Sequence, residues 1–245
     1  MAVQAWVGLS VLHGGSQIAC NAKSVDAPKV TVAELDKTAL CDTWRQVLGG
    51  VKSVSWSAEI MQDFAASGLD EREFALLGVA APMSLLPAGA TYGSVGYAFD
   101  GLALTYTPLQ ATHGELAMGM LGGNGSGVAV RGACLHPPST ARTSSASGTA
   151  IEIGAVTATQ RMYGALHVTS TSGTSEQLTV KLQSSATEGG SYTDRVTFTT
   201  ATDVTYQWSS VAGAVTDTWW RVSWTISGSD TPTFEFAVVA GVGAL

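Results

Sequence analysis

Apolar and polar residues alternate with a period of two along the best-patterned stretches of this chain, and that alternation restricts them to strands. Trp220-Arg221-Val222-Ser223-Trp224-Thr225-Ile226 places two tryptophans, a valine and an isoleucine on one side. Val54-Ser55-Trp56-Ser57-Ala58-Glu59-Ile60 does the same with Val54, Trp56, Ala58 and Ile60. Of the 245 residues, 45% are hydrophobic, enough to close a core. Only 13% are charged, about half the usual share of a soluble domain, and mean hydropathy is +0.21. Yet no apolar run approaches the roughly 18–20 residues of a spanning helix. The longest candidate, Phe236 to Leu245, is broken by Gly241 and Gly243. A chain this apolar is expected to enter no membrane and to have much of its surface covered by other subunits.

Composition changes near residue 140. Serine and threonine number 17 in residues 1–138 and 36 in residues 139–245, so the two parts are built differently. The shift falls at Pro137-Pro138-Ser139-Thr140, where prolines forbid a central strand. The pattern predicts a first domain over 1–138, a linker or long surface crossing over 139–150, and a second domain over 151–245. The second domain reads as an antiparallel β-sandwich. Its strands are expected at 178–182, 196–198, 220–226 and 234–238, with turns at Ser172-Gly173-Thr174, Glu188-Gly189-Gly190 and Ser227-Gly228-Ser229-Asp230.

The first domain is mainly β with a short helix. Val95, Tyr97 and Phe99 share one face; Leu102, Leu104 and Tyr106 share the next, across an expected hairpin turn at Asp100-Gly101. Asp70 is expected to cap a helix, with Glu73 completing a capping box, Phe74 and Leu77 forming the apolar stripe and Gly78 ending it. A second helical turn is expected at Thr43–Leu48, before Gly49-Gly50. The Gly122–Gly127 run lacks the residues of a phosphate loop and reads as a loop between strands.

Catalytic and metal constellations are sparse. His13, His113, His136 and His167 stand at no metal-ligand spacing. His13-Gly14-Gly15-Ser16 has no nucleophile elbow beside it and reads as a flexible turn. Cys20, Cys41 and Cys134 are odd in number and far apart, which predicts three reduced, buried or half-buried thiols. Net charge is −7 with no basic cluster, which argues against a protein that grips phosphates. Trp220 and Trp224 read as core, while Trp219 is expected to stack on Arg221. No enzyme activity, cofactor or metal is expected.

Residues 34–63, from Glu34 through Cys41-Asp42-Thr43-Trp44-Arg45 and Gly50-Val51-Lys52 to the strand ending at Asp63, resemble the long loop and following strand of major tail tube proteins of long non-contractile (siphophage) tails. Cys41 stands where that family usually has glycine before the aspartate. The short helix, then Gly93-Ser94-Val95-Gly96-Tyr97-Ala98-Phe99-Asp100-Gly101, follow in the family's order. The second half, with Gly154-Ala155-Val156, Leu166-His167-Val168, Thr216 to Arg221 and Pro232 to Phe236, is similar to the C-terminal region of tail proteins from phages of high-GC bacteria.

The resemblance implies a tail-tube-type β-sandwich or barrel with a short helix, followed by the C-terminal sandwich. It implies a virion protein, assembled in the host bacterial cytoplasm, that polymerises as stacked rings into the tail tube conducting DNA at ejection. Its partners are then itself, as a hexamer or a trimer, and the tape measure, terminator and baseplate proteins. DNA passes through the lumen without specific binding. The loop over 34–50 mixes charge with Leu35, Leu40 and Trp44, so a partner is expected to cover it. Glu34, Asp36, Leu40, Asp42, Trp44 and Arg45 are the expected inter-ring contacts. Inner strands are expected within 4–11, 17–32 and 92–107, with Ser16, Asn21, Lys23, Asp26 and Asp100 as candidate lumen residues and Lys23, Asp26 and Asp100 foremost. Residues 1–138 carry 11 acids and 7 bases, a balance of −4 that suits a wall along which DNA slides. The alternative reading is a carbohydrate or cell-surface binding module, or a receptor-binding tail protein, using Trp208 and Trp219 of the second sandwich.

Overall fold

The computed structural model describes residues 8–138 and 140–244. Residues 4–7 of the first expected inner strand, and Ser139 of the expected linker, lie outside the described residues. The fold is mainly antiparallel β with a short helix, as the alternation predicts. In chain order the elements are β1 (Ser10–His13), β2 (Ser16–Gln17), β3 (Ala22–Asp36), β4 (Val47–Met61), α1 (Leu69–Ala75), β5 (Ala80–Leu86), β6 (Val95–Thr107) and β7 (Met118–His136). Then come β8 (Ala146–Ser147), β9 (Ile151–Glu152), β10 (Gln160–Ser185), β11 (Thr193–Thr197), β12 (Thr205–Ala212) and β13 (Trp219–Ala244). One hydrogen-bonded path runs β11-β10-β13-β7-β6-β5-β1-β2, and the β3–β4 hairpin joins it through β4 on β7.

The strand β7 meets three neighbours. Its start pairs with β4, its length with β6, and its end with β13. The glycine run at 122–127 lies inside this strand and is no loop. A Cβ on Gly123 would sit 2.1 Å from the Leu102 carbonyl oxygen and 2.9 Å from the Trp56 indole nitrogen. On Gly132 it would sit 1.9 Å from the Ala240 carbonyl oxygen. Glycine is present here because neighbouring backbone occupies the place of a side chain.

The first core lies under β4, β6 and β7 and holds Val54, Trp56, Ala58 and Ile60 on the expected face, with Phe99 and Leu121. Asp100-Gly101 makes no turn. Asp100 pairs with Pro82 and Gly101 with Ala81, and neither residue has positive φ. The pair instead marks a β-bulge against β7, between Phe99 and Gly101. Phe99 and Ala103 therefore point into the core and Leu104 points out. A second bulge between Ala103 and Thr105 returns Tyr106 to the core.

Helix α1 also departs from expectation. Its N-cap is Gly68, with no side-chain cap. The Asp70 carboxylate accepts the Tyr106 hydroxyl proton, and Phe74 is exposed. Glu73, expected in a capping box, is fully buried, and its Oε2 lies 2.7 Å from His13 Nδ1. The hydrogen bond with a histidine sixty residues away outweighs the local cap, because a buried carboxyl group demands a partner. Residues 43–48 form no helix; the chain bends at 43–44 and enters β4 at Val47. Cys20 and Cys41 are exposed, and only Cys134 is buried.

The second core holds Trp220, Val222 and Trp224 as expected, with Leu166, Val180 and Phe236. The turns expected at 172–174 and 227–230 are exposed corners within β10 and β13, which pair over their whole lengths with irregularities at 168–177. Past these corners β10 lies opposite its own beginning: a Cβ on Gly164 would meet Leu182 Cδ1 at 2.6 Å. The two layers of the sandwich are thus largely the two halves of the same pair of strands. The turn at 188–190 is present. Arg221 stacks on the Tyr192 ring, 3.7 Å from its centroid, and not on Trp219.

A third core, with Ala98, Val130 and Cys134 on one side and Tyr163, Ala165 and Val239 on the other, lies where β7 meets β13. Residues 140–148 run along β13, with Arg142 bridged to Phe234 and Ala146 paired to Trp224. Two buried imidazoles sit beside this junction. His167 donates from Nδ1 to the Gly14 carbonyl at 2.6 Å, so its Nε2 accepts from Ser84 Oγ at 2.8 Å. The His13–Ser16 turn is accordingly buried and pinned, not flexible. His136 donates from Nδ1 to the Phe236 carbonyl at 2.8 Å and accepts from Arg142 Nε at 3.1 Å.

Burial pushes both imidazoles from 6.5 down to about 4. As pH falls, the unfolded chain takes up these protons first, so stability is full above about pH 6.5 and declines towards pH 4. Urea unfolding is expected to show a lower midpoint at pH 5 than at pH 7, with the difference reduced in His167→Asn. Gly132→Ala is expected to force β7 and β13 apart and lower stability by about 1–3 kcal/mol, measured by the same unfolding experiment.

Candidate functional site

The β3–β4 hairpin leaves the body of the fold. From Val54 to Ile60 its inner face is buried, and beyond Val54 it stands in solvent. Directly paired residues share a face. Val30 pairs with Val54 and Val32 with Lys52 on one side; Leu35 pairs with Leu48 on the other. A bulge between Val32 and Glu34 places Val51 with Leu35 and Leu48. Each face of the projecting ribbon therefore carries valines or leucines at least half exposed. At the tip Leu40 is fully exposed and Trp44 is 83% exposed, so Trp44 does not fold back onto its own sandwich.

The charged side chains of the tip serve the loop itself. Arg45 pairs with Glu34 and, at 3.3 Å, with Asp36. Asp42 Oδ2 accepts the Ala39 amide proton at 2.8 Å. Hydrogen bonds from Thr38, with a smaller contribution from Arg45, hold the Asp36 carboxyl below its ordinary range. All six residues expected at the contact thus fall in one hairpin: Glu34, Asp36 and Arg45 lock its neck, Asp42 shapes its tip, and Leu40 and Trp44 are left unsatisfied. Sequence reading missed Val30, Val32, Leu48 and Val51. Their signal was available, since the alternation of β3 and β4 runs on past the part that a core is able to cover.

Of the candidate lumen residues, Lys23 and Asp26 fall on the outer face of the same sheet, opposite the first core. Lys23 lies 3.5 Å from Glu59, and Asp26 pairs with Ser57 in the ladder. Ser55 and Ser57 face Asn124 and Gly122 across the next ladder, so this open face is small and polar. Asp100 lies further along, where the second sandwich begins to cover it; burial raises its carboxyl above the ordinary value. Ser16 is buried. Lys23 and Asp26 therefore share a strand, and Asp100 stands apart from them.

Trp208 and Trp219 are not brought together. Trp208 pairs with Ala165 and stacks on Tyr163, 5.5 Å between centroids, on the side of the third core. Trp219 pairs with Ser185 and alternates with the inward Trp220, which puts it on the outside of the other layer. Among the described residues no group of three or more His, Cys, Asp or Glu side chains is placed to hold a metal ion. A cleft of about 430 Å³ between α1 and the loop before β12 is lined by Glu71, Arg72, Leu76, Val204 and Tyr206.

No protein-family model matches the chain, and no curated protein matches it. Among solved structures, it is similar to a chain of the virion of a native gene transfer agent particle, at 19% identity and a TM-score of 0.42, over 52% of this chain and 97% of that one. A chain of the sheath–tube complex of the extracellular contractile injection system PVC is similar at 8% identity and 0.43, over 54% and 92%. The Dit protein of SPP1, described as a hub adsorption apparatus protein, is similar at 9% identity and 0.34, over 96% and 99%.

Because Trp44 touches little of its own fold, Trp44→Ala is expected to change folding stability by less than about 0.5 kcal/mol. Thermal unfolding of the variant at low protein concentration checks this.

Proposed function

We propose that this chain is a structural subunit of a siphophage tail tube, polymerising as stacked rings around a channel that conducts DNA during ejection. The observation that carries this reading is the β3–β4 hairpin, apolar on both faces and at its tip, reaching beyond any core of its own. A two-stranded ribbon is marginal by itself in water, and this much exposed apolar surface favours association. A second copy of the chain is the partner that a repeating assembly always supplies.

Two further features support rings. Among the described residues β3 pairs only with β4, which leaves its other edge open for a neighbouring copy. Closing such edges around an axis makes one continuous barrel. The open face of β3, β4 and β7 would line it, and there Lys23 is offset by Glu59 while Lys29, paired with Ser55, shares the face with Asp26. Asp26 adds negative charge to that wall, and Asp100 sits at its margin. In this reading residues 1–138 form the tube unit, 139–150 link, and 151–245 form an outer sandwich. Rings are hexamers, with trimers the other closed form. The protein sits in the virion tail, assembled in the host cytoplasm beside tape measure, terminator and baseplate proteins.

Electron microscopy of the purified protein is expected to show rings or tubes. Trp44→Ala combined with Leu40→Ala should give folded protein that forms neither. Tubes of normal length from that variant would overturn the role of the tip, and wild-type monomers under every condition would overturn the assembly itself.

A further inference from the structure

Trp219 and Arg221 of β13 point out of the second sandwich, alternating with the inward Trp220 and Val222. In the ladders Trp219 stands between Glu152 of β9 and Ser185 of β10. Arg221 stands beside Gln183 of β10, which stands beside Asp194 of β11. Directly paired residues share a face, so these groups lie on one outward surface.

Arg221 is held in one orientation. Its Cζ lies 3.7 Å from the Tyr192 ring centroid, and its Nε donates to Gln183 Oε1 at 2.9 Å. Both partners are themselves fixed. The Tyr192 hydroxyl donates to the Glu188 carbonyl at 2.7 Å, and Gln183 Nε2 donates to Asp194 Oδ1 at 2.6 Å. Asp194 is already engaged by Lys181, 2.6 Å away. Among the described residues the terminal amino groups of Arg221 meet no acceptor and no carboxylate. The indole beside it is open as well. Trp220 and Trp224 donate from Nε1 to the Gly154 and Ser144 carbonyls, whereas Trp219 is half-buried and its Nε1 has no acceptor among the described residues.

An oriented guanidinium with a free outer edge suits a planar or tetrahedral anion, which accepts two N–H bonds at once. Trp219, two residues along the strand, is about 7 Å away and offers an apolar ring with a polar edge. Glu152, across from Trp219, is a hydroxyl acceptor. The outward positions further along these strands are small or polar: Lys181, Thr179, Ser223 and Thr225. A protein interface is built around an apolar centre, which this face lacks. A sugar ring, apolar on its C–H face and hydroxylated at its rim, matches the mixture.

We propose that Trp219 and Arg221 form a binding site for an acidic sugar, with the ring on the indole and its carboxylate or phosphate on the Arg221 Nη groups. Tyr192 and Gln183 are positioning residues that hold the guanidinium, and Glu152 accepts hydroxyl protons from the ring. Trp208, on the side of the third core, takes no part. The site lies within the second sandwich, so it does not rest on the assembly reading above.

Calorimetric titration of the full-length chain with trigalacturonate, glucose 6-phosphate and neutral maltotriose tests this. At least one acidic sugar is expected to bind and maltotriose is not; which acidic sugar binds identifies the anion. Arg221→Gln is expected to weaken binding by about tenfold or more. Arg221→Lys, which keeps the charge and loses the fork, should also weaken it, as should Trp219→Ala. Lys181→Ala, which removes a paired charge from the same face, should leave it unchanged. Each variant is expected to unfold at the wild-type temperature, since these side chains lie outside the core. Failure of both acidic sugars to bind would overturn the proposal. So would equal binding of maltotriose, or a loss from Lys181→Ala as large as that from Arg221→Gln, which would mark diffuse attraction to charge.

Discussion

Backbone approach along β7 governs the architecture. This strand joins the hairpin sheet to β6 and then to β13, so the two halves of the molecule meet in its ladder. It is able to do so because Gly123 and Gly132 carry no Cβ where the Leu102 and Ala240 carbonyls stand. Neighbouring strands crowd it more closely than ordinary side chains allow. The junction is then completed by apolar contact between Val130, Ala98 and Val239 and by buried imidazoles that satisfy carbonyls across the seam.

Much of this was written in the alternation. The faces of 54–60 and 220–226 follow directly from period two, because a strand has only two sides and only one was apolar. Where expectation failed, local rules lost to distant partners. Asp100-Gly101 has the chemistry of a tight turn, but ladders on both sides hold it extended. Glu73 has the spacing of a capping box, but His13 claims its carboxylate. Gly173 and Gly228 look like hairpin ends, yet they bend strands that continue. No pattern within a short window reports a partner sixty or a hundred residues away.

The candidate site was legible for a different reason. Leu40 and Trp44 stand out in a charged loop, and in the fold they are unpartnered. What the sequence concealed was the extent of the surface. Val30, Val32 and Val51 look like ordinary strand residues until the length of β4 is compared with the length of the body that covers it. The charges near the tip, by contrast, look like contact residues and are used to hold the loop in shape.

The continuity of β13 has a mechanical consequence. Its last residues share hydrogen bonds with β7, and its first residues form the far layer of the second sandwich. The same unbroken backbone therefore belongs to both halves of the molecule. A torque on the second sandwich reaches the central sheet through the β7–β13 ladder, and the His167 side chain ties β10 separately to the Gly14 carbonyl and Ser84. Two separate attachments, one through backbone and one through a buried imidazole, thus set the angle of the second half on the sheet that bears it.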